Sequence, residues 1–246
     1  QGFQEIDIVS MAKPVTKYCV QIREPEDIVK ELNKAYHIAT TGRKGPGLID
    51  LPMNIQRGEV EHPVYDMEFE EPEADETLAE QAVAAVEDAL RSAKRPVIMI
   101  GHGVDSKESQ AALVRFAEKY QIPMITSVLA KSVLPYDHPL NFGCIGGAYG
   151  HRYANMIANA KSDLLLCFGI SLCTRQIGVK VHEFAKNAKI LRIDIDSFNL
   201  QRDIHENGVN EEKFCTDTEK VIFGLKNIVL AESPERKEWA VVCSEI

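Results

Sequence analysis

A short glycine-bearing turn follows a predicted buried strand and precedes a predicted helix. The turn is Gly101-His-Gly103, after the apolar run Val97–Ile100. Backbone N–H groups at such a strand-to-helix turn can bind a phosphate group. The dinucleotide-binding fingerprint is incomplete, because Ser106 occupies its third glycine position and Thr126-Ser127, rather than an acid, ends the next strand. A ligand-binding loop and a glycine turn needed only for chain reversal both remain open.

A second glycine-rich segment, Gly143–Gly150, contains four glycines and leads into a predicted helix over about 151–160. Glycine allows a backbone to approach a flat or anionic ligand closely. An ordinary transition from loop to helix is the alternative reading of this segment.

Two acids, Asp194 and Asp196, flank Ile195 at the end of another predicted buried strand. The two-residue period of a strand sends both carboxylates to one side, at the sheet edge where α/β proteins bind ligands. They could accept hydrogen bonds from ribose or adenine groups, or they could cap the helix that follows.

Arg175, six residues after Gly169, could donate two hydrogen bonds to a phosphate or be an ordinary surface arginine.

The histidines and cysteines form no recognisable metal-ligand pattern. The seven histidines occur singly, without an HxxxH or HxH cluster, so we predict no metal site. The six cysteines include no CxxC pair, which suits neither a zinc site nor a disulfide framework and indicates a reducing, cytoplasmic compartment. No GxSxG nucleophile elbow occurs either.

The composition excludes several classes of protein. The 246 residues carry a net charge of −9 and are 45% hydrophobic and 26% charged, as in soluble globular proteins. No run of about 18 apolar residues predicts a membrane span, and no secretory signal opens the chain. The acidic balance argues against a nucleic-acid-binding surface. We therefore expect a soluble cytoplasmic protein that binds neither nucleic acid nor membrane.

From about residue 77 onward, helical patterns alternate with apolar strands. Helices are predicted over about 78–95, 107–120, 151–160 and 217–230, and strands over 97–101, 123–127, 164–169, 189–196 and near 214–215. This alternation predicts an α/β fold with a doubly wound parallel sheet covered on both faces. We place this domain at 77–232, after a linker at 61–76 and before a tail at 233–246.

Residues 1–60 show fewer elements than an independent domain needs. A short helix near 4–11, a helix over 26–40 and one strand over 47–51 are predicted. One strand and one long helix cannot enclose a core. We expect an incomplete α/β segment, the C-terminal part of a larger domain, and we expect the chain to be a fragment.

Motifs in a fixed order extend along nearly the whole chain. The first three are Gly2-Phe-Gln-Glu-Ile-Asp7, Lys13-Pro-Val-Thr-Lys17 and Gly42-Arg-Lys-Gly-Pro-Gly-Leu-Ile-Asp-Leu-Pro52. The later ones are Arg95-Pro-Val-Ile-Met-Ile-Gly-His-Gly103, Ala130-Lys-Ser-Val-Leu-Pro135 with Asp137-His-Pro139, and Ile193-Asp-Ile-Asp196. The chain resembles thiamine-diphosphate-dependent enzymes of the acetolactate synthase group, large catalytic subunit. The early motifs resemble the end of the pyrimidine-binding domain, and the later ones the Rossmann-like central domain.

The resemblance implies a reaction and its cofactors. The family condenses or cleaves 2-oxo acids through thiamine diphosphate and Mg²⁺, and acetolactate synthases join two pyruvates with loss of carbon dioxide. The activating glutamate would precede Gln1, and the GDG motif of the metal site would follow Ile246 in the diphosphate-binding domain; no GDG occurs here. We therefore expect the isolated chain to be inactive, and the parent enzyme to be a homodimer or homotetramer.

The resemblance also suggests site residues. Phe3 and Gln4 match an active-site-facing element, and Lys17 matches a lysine that lines the substrate approach. FAD with a structural role would contact Gly101, Gly103, Ser127, Gly169, Arg175, Asp194, Asp196 and Asp217. Lys13 replaces an arginine found near the flavin in many relatives, and Ser171–Arg175 differs from the usual RFDDR. FAD, another nucleotide or an empty crevice all remain open, as does a stand-alone nucleotide-binding or assembly module.

Overall fold

The computed structural model describes residues 2, 3, 5–63, 65, 67–69 and 76–245. The chain divides into two compact parts, called here unit 1 (residues 1–73) and unit 2 (residues 74–246). In the described part of the chain, no helix is both long enough and apolar enough to cross a membrane.

Unit 1 contains two short parallel strands and three helices among its described residues. The elements are α1 (Ile8–Ala12), a 3₁₀ turn (Lys13–Val15), β1 (Tyr18–Gln21), α2 (Asp27–Thr40), β2 (Gly47–Asp50) and α3 (Met53–Gln56). β1 runs parallel to β2, with Tyr18 opposite Gly47. The prediction of a single strand is wrong, because the four residues of β1 are too few to show a period of two.

Few side chains are buried in unit 1. Among its described residues, the buried hydrophobic side chains are Ala12, Ile22, Ala35 and Ile55. Leu32, Tyr36 and Met53 are each more than half exposed. Parallel sheets are ordinarily covered on both faces. The sheet and helices of unit 1 thus bury little apolar surface for an α/β arrangement.

Unit 2 alternates strands and helices along its whole length. Its strands are β3 (Pro96–Ile100), β4 (Met124–Thr126), β5 (Asn141–Cys144), β6 (Leu164–Phe168), β7 (Lys189–Asp194) and β8 (Glu211–Cys215). Its helices are α4 (Glu76–Ser92), α5 (Lys107–Tyr120), α6 (Arg152–Met156), α7 (Thr174–Ile177), α8 (Ser197–Gln201), α9 (Thr218–Gly224) and α10 (Pro234–Glu245). A π-helical turn, Ile157–Lys161, extends α6, and 3₁₀ turns lie at Val128–Val133, Val181–Glu183, Glu206–Gly208 and Leu225–Asn227.

Within residues 76–245, six strands form one sheet in the order β5-β4-β3-β6-β7-β8. All neighbouring pairs are parallel. The order runs outward from β3 in one direction and from β6 in the other, so the sheet is doubly wound. The predicted fold class is confirmed.

The two faces of this sheet hold separate hydrophobic cores because side chains alternate along each strand. Ile98 and Ile100 of β3 face a core shared with α4, α5 and α9. Val97 and Met99 face the opposite core, which is shared with α6 and α10. Every residue of β3 and β6 is buried, as the uninterrupted apolar runs predict.

Residues 233–246, predicted as a tail without a helix, contain α10. Trp239 of α10 is buried, and its indole N–H donates to the Pro96 carbonyl at 3.0 Å. The Arg236 guanidinium donates to the Leu90 carbonyl at 3.1 Å. This segment therefore packs into unit 2 and completes the core beside β3.

Candidate functional site

The strand order of unit 2 reverses between β3 and β6, and doubly wound sheets bind ligands at the carboxyl ends of strands at such a point. The turns that leave these two strands touch each other. The Gly103 amide donates to the Gly169 carbonyl at 3.0 Å, and a Cβ added at Gly101 would lie 1.9 Å from that carbonyl oxygen. Nearby, the buried Ser127 donates its amide to the Ile100 carbonyl at 2.8 Å. Backbone contact at the switch point thus supplies a packing reason for these glycines.

The glycine-rich segment 143–150 begins inside β5 and packs on itself. A Cβ at Gly150 would lie 2.4 Å from the Gly146 nitrogen. Asn155 of α6 fixes Gly146, accepting its N–H at 3.1 Å and donating to its carbonyl at 2.9 Å. A Cβ at Gly147, by contrast, would meet no described atom within 4 Å. Gly147 therefore leaves backbone surface open for a ligand.

Arg175 lies against this same segment. Its guanidinium carbon is 5.5 Å from the centre of the Tyr149 ring, and its carbonyl accepts a hydrogen bond from the Gly147 amide at 3.2 Å. A guanidinium stacked on an aromatic face keeps the N–H donors in its own plane available. Arg175 is thus held beside the open backbone of Gly147 with donors suited to an anion.

The two acids at the end of β7 both bind backbone amides. Asp194 accepts the amide of Asp196 at 2.9 Å, and Asp196 caps α8 by accepting the amide of Phe198 at 3.0 Å. Asp217 caps α9 through the Glu219 amide at 2.8 Å. The helix-cap alternative is therefore what the structure shows for Asp196.

Cys215 lies opposite Asp194 in the pairing of β7 with β8. Burial raises the pKa of the Cys215 thiol, and the negative charges of Asp194 and Asp196 raise it further. The two acids therefore impose a negative potential on this end of the sheet. Such a potential favours hydroxyl or amine donors over a phosphate.

A buried ion pair supports the chain that follows these acids. Arg192 of β7 and Glu211 of β8 are 2.7 Å apart, and their side chains are 1% and 0% exposed. Arg192 also donates to the carbonyls of Arg202, at 2.7 Å, and Asn199, at 2.5 Å. Glu211 accepts the amide of Ile204 at 2.8 Å. The pair thus fixes the connection from α8 to β8.

The candidate residues of unit 1 occupy different surroundings. Phe3 is fully exposed, and Gln4 lies outside the described residues. The Lys17 ammonium donates to the carbonyls of Ile38 and Thr41 at the end of α2. Lys17 thus ties β1 to the end of that helix.

Sequence reasoning missed the partners of the predicted residues. Tyr149 holds Arg175, and Asn155 holds Gly146. An aromatic residue inside a glycine-rich loop is a signal that could have indicated Tyr149, whereas the sequence contains no such signal for Asn155.

All six cysteines are free thiols. Across the described ranges, no group of three or more His, Cys, Asp and Glu side chains is placed to hold a metal ion.

The carboxyl edge of unit 2 offers two kinds of polar group. A guanidinium lies beside open backbone at Gly147, and carboxylates end β7. These suit the phosphates and the hydroxyl groups of a nucleotide respectively, so the donor set fits a nucleotide such as FAD. The fold defines the class of unit 2 as a doubly wound α/β domain with polar groups at the carboxyl edge of its sheet.

Residues 83–211, about half of the chain, match the family described as thiamine pyrophosphate enzyme, central domain. This chain belongs to the thiamine pyrophosphate enzyme family. The resemblance inferred from the sequence motifs is thereby confirmed.

Individual relatives match over nearly the whole chain. Glyoxylate carboligase of Escherichia coli O157:H7 is 32% identical over 254 residues, covering 100% of this chain and 41% of the relative. A probable acetolactate synthase large subunit of Methanocaldococcus jannaschii is 36% identical over 245 residues, covering 97% and 40%. Acetolactate synthase isozyme 1 large subunit of Escherichia coli K12 is 32% identical over 249 residues, covering 100% and 42%. The chain thus spans about two fifths of the length of these relatives.

Proposed function

We propose that this chain is the central portion of a thiamine-diphosphate-dependent enzyme that joins or decarboxylates 2-oxo acids. The reaction that we favour is acetolactate-synthase-like, in which two pyruvates give 2-acetolactate and carbon dioxide. The observation that carries this proposal is the similarity to acetolactate synthase large subunits along 97–100% of the chain. The proposed enzyme is a cytoplasmic homodimer or homotetramer.

In this proposal, each part of the chain has its own role. Residues 1–60 are the C-terminal part of the pyrimidine-binding domain, residues 61–76 are a linker, and residues 77–232 are the central domain. Residues 233–246 lead toward the diphosphate-binding domain, and their helix α10 packs on the central domain as they do so. Phe3, Gln4 and Lys17 line the active site.

Thiamine diphosphate supplies the carbanion chemistry of this class when it is bound. Neither a GDG motif nor a cluster of metal ligands occurs among the described residues, so we assign Mg²⁺ and diphosphate binding to other segments of the enzyme. The isolated chain is then inactive by itself.

Glyoxylate is a second candidate substrate, because glyoxylate carboligase matches the whole chain at 32% identity. Glyoxylate and pyruvate are both 2-oxo acids and differ by one methyl group. A pocket contact with that methyl group would discriminate them by about 10- to 200-fold.

The activity proposal is tested by supplying the purified chain with thiamine diphosphate, Mg²⁺ and either pyruvate or glyoxylate. We expect no release of carbon dioxide from either acid. The gene product that includes the flanking coding sequence should release carbon dioxide and form 2-acetolactate from pyruvate. Formation of 2-acetolactate by the isolated chain would overturn the assignment of catalysis to other segments, and faster turnover of glyoxylate would favour the second substrate.

The carboxyl edge of unit 2 holds the nucleotide in this proposal, with FAD as the first candidate. Arg175 would bind phosphate oxygens, and Asp194 and Asp196 would accept hydrogen bonds from ribose hydroxyls. FAD bound here would stabilise the domain and would not exchange electrons.

Calorimetric titration with FAD, ADP and NAD tests this nucleotide site. We expect FAD to bind and Arg175→Gln to weaken it, whereas Arg115→Gln, which removes an exposed guanidinium on α5, leaves it unchanged. No heat at tens of micromolar nucleotide would remove both the FAD site and the alternative of a stand-alone nucleotide-binding module. The remaining alternative, an assembly module, would then be judged from the oligomeric state.

A further inference from the structure

Residues 169–175, which are the loop after β6 and the first two residues of α7, contact three other segments and are called here the hub loop. From the turn after β3, the Gly103 amide donates to the Gly169 carbonyl at 3.0 Å. From the segment after β5, the Gly147 amide donates to the Arg175 carbonyl at 3.2 Å. From the end of α8, the Arg202 guanidinium donates to the hub loop as well. The hub loop therefore couples the carboxyl ends of several strands.

The backbone of the hub loop is held in an unfavourable conformation. Gly169 has φ +56° and Leu172 has φ +47°. Glycine adopts this left-handed region freely, whereas a leucine there brings its Cβ too close to the following carbonyl. The Leu172 side chain is 0% exposed, so burial helps to hold the residue in place. A strained residue persists only where its surroundings fix it.

Arg202 supplies polar contacts that hold Leu172 in this conformation. Its Nη2 donates to the Leu172 carbonyl and, at 3.4 Å, to the Ser171 carbonyl. These two carbonyls belong to the left-handed turn itself. A donor placed on them favours the turn over the extended alternative, because hydrogen bonds to a charged donor are stronger than neutral ones.

The backbone of Arg202 is itself anchored. Its carbonyl accepts a hydrogen bond from Arg192 at 2.7 Å, and Arg192 is paired with Glu211 in the sheet interior. The base of the Arg202 side chain is thereby fixed by the core, so less conformational entropy is lost when its guanidinium reaches the hub loop.

We propose that Arg202 is a positioning residue that holds the hub loop in its left-handed conformation and so sets the relative positions of the turns after β3 and β5. Because Arg175 belongs to the hub loop, Arg202 also sets where the Arg175 guanidinium lies. That last consequence for ligand binding rests on the proposed nucleotide site; the positioning itself does not.

Amide hydrogen exchange of the ligand-free chain tests the positioning. In Arg202→Gln, the amides of Gly103 and Gly147 should exchange about fivefold faster than in the wild type, as expected when a hydrogen bond of ordinary strength is lost. Neither amide is hydrogen-bonded to Arg202, so a purely local role would leave both unchanged. Arg115→Gln is the matched control and should alter neither rate. Wild-type protection of both amides in Arg202→Gln would overturn the proposal.

Two further variants test whether Arg202 acts through its hydrogen bonds to the left-handed turn at Leu172. Arg202→Lys should restore most of the protection, because an ammonium can donate to the same two carbonyls. In Leu172→Gly, where the left-handed conformation is relaxed, Arg202→Gln should accelerate exchange less than it does in the wild type. Equal acceleration in both backgrounds would contradict the link between Arg202 and Leu172.

Titration of wild type and Arg202→Gln with ADP separates this proposal from the nucleotide site. If ADP binds, Arg202→Gln should raise its dissociation constant about fivefold, and an unchanged constant would contradict the predicted effect on Arg175. If ADP and FAD both fail to bind the wild type, the nucleotide site is wrong, and the exchange rates still decide the role of Arg202.

Discussion

At the residue scale, the acids after β7 organise the local backbone and also act on a neighbouring thiol. Asp196 caps α8, and Asp194 accepts the Asp196 amide. Their negative charges also raise the pKa of the Cys215 thiol, which lies in β8. The acids therefore leave a measurable electrostatic signature whether or not a ligand is bound.

This signature predicts the reactivity of Cys215. Asp194→Asn or Asp196→Asn should lower the raised pKa of the Cys215 thiol and increase the thiolate fraction at about pH 8, which speeds labelling severalfold. Asparagine is also a good N-cap, so α8 should remain folded. The measurement is the rate of reaction with a disulfide reagent against pH, with Cys215→Ser to assign the signal. The rise in rate with pH should occur at lower pH in the Asn variants, and superimposable profiles would contradict the prediction.

The ion pair of Arg192 and Glu211 predicts a large loss of stability. Arg192→Met leaves Glu211 buried without its partner and should lower the free energy of unfolding by about 3–5 kcal/mol. Lys189→Met is the control, because Lys189 pairs with Glu212 at 2.6 Å where the side chains are 37% and 42% exposed. That change should cost under about 1 kcal/mol. Urea unfolding followed by fluorescence measures the free energy of unfolding of both variants. Equal losses of stability in the two would contradict a special contribution from the buried ion pair.

At the scale of elements, contacts between turns explain glycines that the sequence leaves ambiguous. The turn after β3 meets the turn after β6 backbone to backbone, and a side chain at Gly101 would occupy the position of the Gly169 carbonyl. In contrast, Gly147 has open space around it. Close backbone packing therefore requires a glycine at 101 and does not require one at 147.

Gly101→Ala should destabilise unit 2 by about 3 kcal/mol or prevent its folding, because the added methyl group overlaps backbone that cannot move aside. Gly147→Ala should change the free energy of unfolding by no more than about 0.5 kcal/mol. Thermal unfolding of both variants tests this pair, and a destabilised Gly147→Ala would show that the segment is more crowded than the structure indicates.

Much of unit 2 could be predicted from sequence because its signals are local. The predicted helix at 107–120 is found as Lys107–Tyr120, where the Ser106 side chain accepts the Ser109 amide and fixes the start. The buried strands followed from their apolar runs. β5 was missed because its glycine suggested a loop, and α10 because Trp239 and Cys243 are too few to define an apolar face.

The candidate site was less predictable, since it depends on contacts between distant segments. The sequence places Arg175 after a strand, and nothing local reveals that Tyr149 lies beneath its guanidinium. Likewise, the donation from Arg202 to Leu172 joins loops that are 30 residues apart. Local patterns indicate where chemistry can occur, whereas packing determines which groups meet.

At the scale of the whole molecule, the two units differ in how much they bury. Unit 1 has few buried side chains among its described residues, whereas unit 2 has a core on each face of its sheet. Hydrophobic burial is the dominant favourable term in folding. The two units should therefore differ in stability.

Unfolding by urea should occur in two steps. Amides of the β1–β2 pair should lose protection from hydrogen exchange at lower urea than those of the β3–β6 pair, because fewer apolar contacts support them. Trp239 is the one tryptophan in the chain and is buried in unit 2, so its fluorescence reports the second step. Coincidence of the exchange and fluorescence transitions would show that the chain unfolds as one cooperative body.

The bond from the Trp239 indole to the Pro96 carbonyl has a consequence for synthesis on the ribosome. It joins residues 143 positions apart, so the first strand of unit 2 emerges long before its last partner does. β6, the neighbour of β3 across the switch point, also follows only after β4 and β5. A nascent chain that stops before α10 would leave one face of β3 only partly covered, and chaperones recognise such exposed apolar surface. Unit 2 should thus reach its protease-resistant state late in translation, in a single closing step.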